Sequence, residues 1–194
     1  MNQKNSTYHI PVLCDACIEG LDINPEGIYV DVTFGGGGHS RAIFDRLSLK
    51  GTLYAIDQDE DAKRNLWDAP NFHFIQSNFS FIQNQLKLRG VFKVNGILAD
   101  LGVSSHQFDE GNRGFSIRND GALDMRMNTS ANRSAADVLN NCEEEELTSI
   151  FQKYGEIKNA KRLSYELVKF RQSNPLKTTQ ELTAFLKKFA PKFR

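Results

Sequence analysis

The sequence predicts an α/β protein: a Rossmann-like, doubly wound parallel sheet followed by a helical segment. Three observations carry that expectation. Short β-like runs alternate with stretches of helical spacing over the first half of the chain, the pattern of parallel strands joined by crossover helices. Four consecutive glycines, Gly35 to Gly38, stand directly after the first such strand and open a helix,. Beyond Leu101 the strand patterns cease, and after a polar stretch only helical periodicities remain.

The elements follow in order. Strands are expected over Gly27–Phe34, Gly51–Asp57, Asn71–Gln76 and Asn95–Leu101, the first three rich in β-branched or aromatic residues,. Between them lie helical patterns at His39–Leu47, Glu60–Trp67 and Ser80–Leu88, the last opened by a capping-box spacing of Ser80 and Gln83,. Residues 102–132 are rich in Gly, Asn, Asp, Ser and Arg without sustained period, and read as a long functional loop,. Four helices are then expected. Ser134 with Asp137 caps the first, and Leu147, Ile150, Phe151 and Tyr154 mark the second. Ala160, Leu163, Leu167 and Val168 mark the third. Thr178 with Glu181 caps the fourth, which aligns Leu182, Phe185, Leu186 and Phe189,. The expected division is a nucleotide-type domain over 1–133, with the loop 102–132 in its wall, and a helical domain over 134–194. Four strands make a thin, incomplete doubly wound sheet.

Composition narrows the class. With 194 residues, 40% apolar and 25% charged, the chain is that of a globular protein with room for one domain or one domain and an appendage,. No apolar run approaches the roughly 20 residues of a membrane span, and the polar start Met1 to Ser6 leads into no signal-peptide core,. A cytoplasmic location without membrane contact is the expectation. Three cysteines build no disulfide framework, and Cys14 and Cys17 lack the partners of a zinc site, so they read as packing residues and no metal is expected,. The net charge is zero, yet residues 158–194 hold ten Lys/Arg against two Glu. Such an end is either a solvated pair of helices or a nucleic-acid footprint.

The chemistry lies at the strand ends. Glycine after a strand lets backbone approach a ligand, and Gly35 to Gly38 supply it, without the Lys-Ser/Thr of a phosphate P-loop,. Asp57 ends the second strand, 19 residues past Gly38, where a carboxylate can accept hydrogen bonds from both ribose hydroxyls,. Asp100 ends the fourth, which in this topology lies beside the first, so it looks across one crevice at the glycine loop. A carboxylate there can hold an ammonium group or receive a proton. A nicotinamide-dependent oxidoreductase and an S-adenosylmethionine-dependent methyltransferase both use this scheme. The missing third glycine of the dinucleotide pattern, and Asp31 within the strand, tilt the reading toward the methyltransferase.

Taken together, the segments resemble the MraW/RsmH family, bacterial enzymes that methylate the N4 amino group of a cytidine in 16S ribosomal RNA. The resemblance runs through His9-Ile10-Pro11-Val12-Leu13, Gly27 to Ser40, Ala55 to Asp59, Asp100 to Gln107, Arg113 to Ser116, Asp120 to Met127, Tyr154-Gly155-Glu156 and Ala160-Lys161-Arg162. It implies a class I methyltransferase with an inserted helical domain over 134–194 that contacts RNA, and S-adenosylmethionine as cofactor. Gly37, Gly38 and His39 would line that cofactor, Asp57 would take the ribose and Phe79 the adenine. Asp100 and Gln107 would face the methionine end. Asp124 and Arg126 would shape the cytidine pocket, and small-subunit ribosomal RNA is the implied partner. Family members continue with further strands, so the resemblance implies that the C-terminal part is lacking and that one sheet edge and an apolar face stand uncovered. An inactive remnant that still binds cofactor or RNA is the alternative.

Overall fold

The computed structural model describes residues 11–189. The stretches Met1 to Ser6, His9-Ile10 and Ala190 to Arg194, with the charges of Lys192 and Arg194, lie outside the described residues. The chain divides into two compact units at Gly102. Residues 103–132, grouped with the first domain in the sequence reading, cluster with the helices of the second unit.

The first unit is a four-stranded parallel sheet: β1 (Ile28–Asp31), β2 (Thr52–Asp57), β3 (Phe72–Gln76) and β4 (Gly96–Leu98), in the order β3-β2-β1-β4. The chain winds from β1 outward to β3 and then crosses to the other side of β1, which puts the switch point between β1 and β4,. Val30 pairs with Tyr54 on one side and with Ile97 on the other. All four expected strands are present, with shorter ends.

Alternation divides the strand residues between two cores. Tyr29, Leu53, Ala55 and Phe72 face one side with Ile18 of α1 (Cys14–Leu21) and Ile43 of α2 (Gly38–Phe44). Val30, Tyr54, Ile56 and Ile75 face the other with Leu86 of α3 (Ile82–Lys87). Helix α1 is an element the sequence reading lacks, although Cys14, Cys17, Ile18 and Leu21 follow helical spacing. Cys14 and Cys17 pack against the first core, as expected of packing residues. Burial pushes the Cys14 thiol above its ordinary range.

Two local expectations are corrected. Glu60–Trp67 is not an α-helix but a tight 3₁₀ helix over Glu60–Asn65, capped by Asp59 accepting from Asp61 N–H. Trp67 lies beyond it and stacks on Phe72 at 3.9 Å between centroids, which holds the chain too close to the sheet for a wider helix. The Ser80–Gln83 box does not form either. Asn78 sits two residues earlier and accepts from Ser80 N–H at 2.9 Å, so the segment opens as a 3₁₀ turn over Phe79–Phe81. At the β4 edge Ile97 and Leu101 are exposed.

The second unit contains α4 (Ser105–Asp109), α5 (Ala135–Asn141), α6 (Glu144–Lys153), α7 (Ala160–Arg171) and α8 (Thr179–Phe189). Its core joins Leu139, Leu147, Leu163, Leu167, Leu176 and Phe185 with Leu123, a single apolar residue from the long polar stretch. Leu123 N–H donates to Lys177 O, and its own carbonyl accepts from Ala136 N–H. Both expected caps are present: Ser134 and Asp137 exchange bonds in a full capping box, and Glu181 accepts from Thr178 N–H while Thr178 Oγ1 accepts from Glu181 N–H. Tyr154 departs from the expected buried stripe. It follows the last turn of α6 and is 83% exposed. No helix among the described residues is long and apolar enough to cross a membrane.

Candidate functional site

Every residue expected at the site from the first unit follows the carboxyl end of a parallel strand, where a doubly wound sheet opens its crevice. The foundation is a residue that the sequence reading noticed but gave no role, Asp31. It ends β1 with 1% exposure. One carboxylate oxygen accepts from Ser40 Oγ at 2.6 Å, the other from Thr33 N–H at 3.0 Å and Thr33 Oγ1 at 3.3 Å. Burial pushes this carboxyl above the ordinary aspartate range, and the bonds from Ser40 and Thr33 oppose the shift,. The glycine loop is thus anchored at both ends by one buried acid: Thr33 where it leaves the strand, Ser40 where it enters α2.

The same network reaches the neighbouring strand. Thr33 Oγ1 accepts from Asp100 N–H at 2.8 Å, across 67 residues of sequence. Asp31, through Thr33, therefore fixes the tip beyond β4 relative to the loop after β1. Asp100 keeps its side chain in the open, 63% exposed. His39, in the first turn of α2, is buried and brings Nδ1 to 3.8 Å from the Asp100 carboxylate, outside hydrogen-bond range. Its Nε2 is buried with no hydrogen-bond partner.

Asp57 closes the loop from the β2 side. Its Oδ2 accepts from Gly35 N–H at 2.7 Å and its Oδ1 from Asp59 N–H at 2.8 Å. Asn65 completes the hold, donating to Gly35 O at 3.0 Å. Each Asp57 oxygen retains a further lone pair. Gly37 has φ of 79°, and a Cβ there would lie 3.1 Å from the Phe34 ring, so glycine is required,. At Gly36 a Cβ would meet nothing within 4 Å. An orphaned buried imidazole nitrogen, an open stretch of glycine backbone and carboxylates with spare acceptor capacity are the features of a loop that fits a polar ligand carrying hydroxyl and ammonium groups. Phe79, beyond β3, is 43% exposed, next to Asn78, whose Nδ2 donates to Gln58 Oε1 just past Asp57.

Gly37, Gly38, His39, Asp57, Phe79 and Asp100 thus share the strand-end side of the first unit. Gln107 belongs to the second unit, where it is buried on α4. Its Oε1 accepts from Ser104 N–H while its own N–H donates to Ser104 Oγ. That reciprocal cap has the Ser-x-x-Gln spacing, a signal present in the sequence but passed over because the region reads as loop. Asp124 and Arg126 are joined to each other, Arg126 Nη2 donating to Asp124 Oδ2 at 2.6 Å, and Arg126 Nη1 also donates to Ala131 O.

A glycine loop at the switch point of a parallel sheet, flanked by carboxylates after β2 and β4, defines an α/β protein of the nucleotide-cofactor class. Within that class, the chain belongs to the MraW methylase family, whose model matches residues 6–194. It is 51% identical over 187 residues to the ribosomal RNA small subunit methyltransferase H of Bacteroides thetaiotaomicron, covering 96% of this chain and 62% of that protein. It is 54% identical over 187 residues to the protein of the same name from Cytophaga hutchinsonii, covering 95% and 62%. The protein of that name from Flavobacterium johnsoniae is 53% identical over 184 residues, covering 95% and 61%. The chain therefore spans about three-fifths of the length of these curated relatives. A solved putative methyltransferase from an antibiotic biosynthesis pathway of Anabaena variabilis aligns over 95% of this chain and 92% of its own at 14% identity, with a TM-score of 0.37.

Proposed function

We propose that this chain is the cofactor-binding and helical portion of an S-adenosylmethionine-dependent methyltransferase that acts on small-subunit ribosomal RNA, with the N4 amino group of a 16S cytidine as acceptor. The observation that carries the reading is the double anchoring of the glycine loop, by Asp57 at Gly35 and by Asp31 through Thr33 and Ser40. Membership of the MraW methylase family and the names of the relatives support the substrate class.

The roles follow from the chemistry of each group. Asp57 spends one lone pair of Oδ2 on Gly35 and keeps acceptor capacity for two vicinal ribose hydroxyls,. The exposed ring of Phe79 offers an apolar face to adenine,. Gly37 and Gly38 let the ligand approach backbone, and His39 offers an unused ring nitrogen. Asp100 serves the methionine end. When bound, the cofactor supplies a methyl group activated by a sulfonium. The cytosine amino nitrogen is a weak nucleophile, so alignment is the protein's main contribution. A carboxylate must also take the proton that leaves the nitrogen, and Asp100 is the exposed acid of the crevice,.

Transfer of labelled methyl from S-adenosylmethionine to small ribosomal subunits, with nucleoside analysis for N4-methylcytidine, tests the reading. Absence of S-adenosylhomocysteine binding to the chain by calorimetry overturns it. Binding without transfer supports the alternative of an inactive, cofactor-binding portion. Asp100→Asn separates the two duties of that acid. Weakened cofactor binding marks the ammonium contact, whereas unchanged binding with transfer slowed at least tenfold marks the proton acceptor.

A further inference from the structure

The tips of the two strands that lead to Asp57 and Phe79 are tied side by side. Asp57 pairs with Gln76 across β2 and β3, and the Asp57 carbonyl accepts from Ser77 N–H at 2.9 Å. One residue further along each chain, Asn78 Nδ2 donates to Gln58 Oε1 at 2.8 Å. Gln58 directly follows the acid assigned to the ribose, and Asn78 directly precedes the ring assigned to the adenine.

One backbone group dictates the orientation of both amides. Ser80 N–H opens the 3₁₀ turn and needs an acceptor, which Asn78 Oδ1 supplies at 2.9 Å. The Asn78 oxygen is thereby committed, and its nitrogen is the end left for Gln58. A nitrogen donor must meet an oxygen, so Gln58 turns Oε1 toward Asn78 and Nε2 away from it,. Gln58 is half-buried, and among the described residues its Nε2 meets no acceptor, yet it is not sealed from solvent. Two amides in series thus fix a side-chain donor beside the ribose acid and the exposed Phe79 ring.

Such a donor supplies what the neighbouring groups lack. A carboxylate that accepts from ribose hydroxyls reads the sugar alone, and an aromatic face takes any flat base. Discrimination between bases needs a polar group that is left unpaired when the wrong ring binds. The Ser77 hydroxyl is already engaged, donating to Asn78 O at 3.3 Å. We infer that Gln58 is a specificity-determining residue for the adenine of the cofactor, its Nε2 donating to ring nitrogen N3, with Asn78 as the positioning residue that sets the amide. N3 is the ring acceptor on the base edge next to the sugar, and Gln58 adjoins the acid at the ribose. The inference rests on the cofactor reading above and adds to it the recognition of the base.

The test is calorimetry of the full chain with S-adenosylhomocysteine and with its 3-deaza and 7-deaza analogues, in which a C–H replaces one ring nitrogen. The unaltered chain is expected to bind the 3-deaza analogue about fivefold or more weakly than the parent, and the 7-deaza analogue within about twofold. Gln58→Glu keeps an oxygen for Asn78 but has no donor. It is expected to bind the parent about fivefold or more weakly and to lose the preference over the 3-deaza analogue. Asn78→Asp keeps the acceptor for Ser80 N–H but cannot donate to Gln58, so the Gln58 amide turns its nitrogen to the new carboxylate and its oxygen to the base. The preference is expected to vanish there too, although Gln58 itself is unaltered. A residue that merely braces the turn would weaken both ligands equally. Urea unfolding followed by Trp67 emission verifies that each variant is folded. Equal affinity of the unaltered chain for the parent and the 3-deaza analogue overturns the inference, as does a preference that survives in either folded variant. A penalty on the 7-deaza analogue in place of the 3-deaza one also overturns it. Failure of the unaltered chain to bind S-adenosylhomocysteine overturns the cofactor reading and this inference with it, whereas binding without preference overturns the inference alone.

Discussion

The two units use their aspartates in opposite electrostatic ways. In the α/β unit Asp31 is sealed beneath the glycine loop and held by neutral donors, so burial dominates and its carboxyl lies above the ordinary range. In the helical unit, hydrogen bonds from Arg126 hold the Asp124 carboxyl below that range. The bond from Gln180 N–H does the same for Asp120, and that from the Ser134 hydroxyl for Asp137. Both arrangements immobilise irregular chain. The first does so from inside, where a lost partner leaves other groups stranded; the second does so from the surface, where water replaces what is lost. A loop that must leave its backbone open to a ligand is better held from beneath.

The contrast breaks first, if it breaks at all, at Asp31→Ala. That change strands the fully buried Ser40 hydroxyl and the Thr33 donors, and a loss of about 3 kcal/mol is expected from urea unfolding. The single tryptophan, Trp67, packs against Phe34, Phe44 and Phe72, so its emission follows this unit. Asp124→Ala, followed by helical circular dichroism, is expected to cost about 1 kcal/mol once screening of a half-open ion pair is allowed for. Equal costs would remove the distinction between sealed and surface anchoring.

Thr33→Val sharpens the comparison at intermediate size. The shape is nearly kept, but the Asp100 N–H loses its acceptor and Asp31 one donor. About 1 kcal/mol of stability is expected to go. S-adenosylhomocysteine binding is expected to weaken by more than that loss accounts for, because the tip beyond β4 is no longer registered to the loop. Unchanged binding by calorimetry would mean that Asp100 is positioned by other contacts.

Much of this was legible in sequence because it is local or periodic. The strands, the glycine loop, Asp57 and the caps at Ser134 and Thr178 all declare themselves by spacing. What was illegible depends on distant residues meeting. Nothing near Asp31 announces that Ser40 will fold back on it, and the Thr33–Asp100 bond spans three crossovers. Leu123 lies in a polar stretch, in a short alternation with Met125 and Met127 that does not mark it as a plug for the helical core. Helix α1 is a different case: Cys14, Cys17, Ile18 and Leu21 have helical spacing, but the helix is only eight residues long and carries no side-chain cap to mark its start. At Ser80 a valid capping spacing lost to Asn78, whose side-chain carbonyl accepts from the backbone two residues on,.

The smallest expected effect is a difference in the sign of pH dependence. Asp31 has a folded pKa raised above its unfolded value of about 3.9,. Its contribution is therefore fully present below that value and is lost as pH rises through the folded pKa. Asp124 has a depressed folded pKa. Its contribution is present above about 3.9 and lost as pH falls through the folded value. Unfolding free energies of the unaltered chain minus those of Asp31→Asn should thus grow on acidification from pH 7 to about pH 4. The same difference for Asp124→Asn should stay level there and shrink only below about pH 4. Parallel slopes would mean that the acid under the glycine loop is held as a surface acid is, and that its burial does not set its charge.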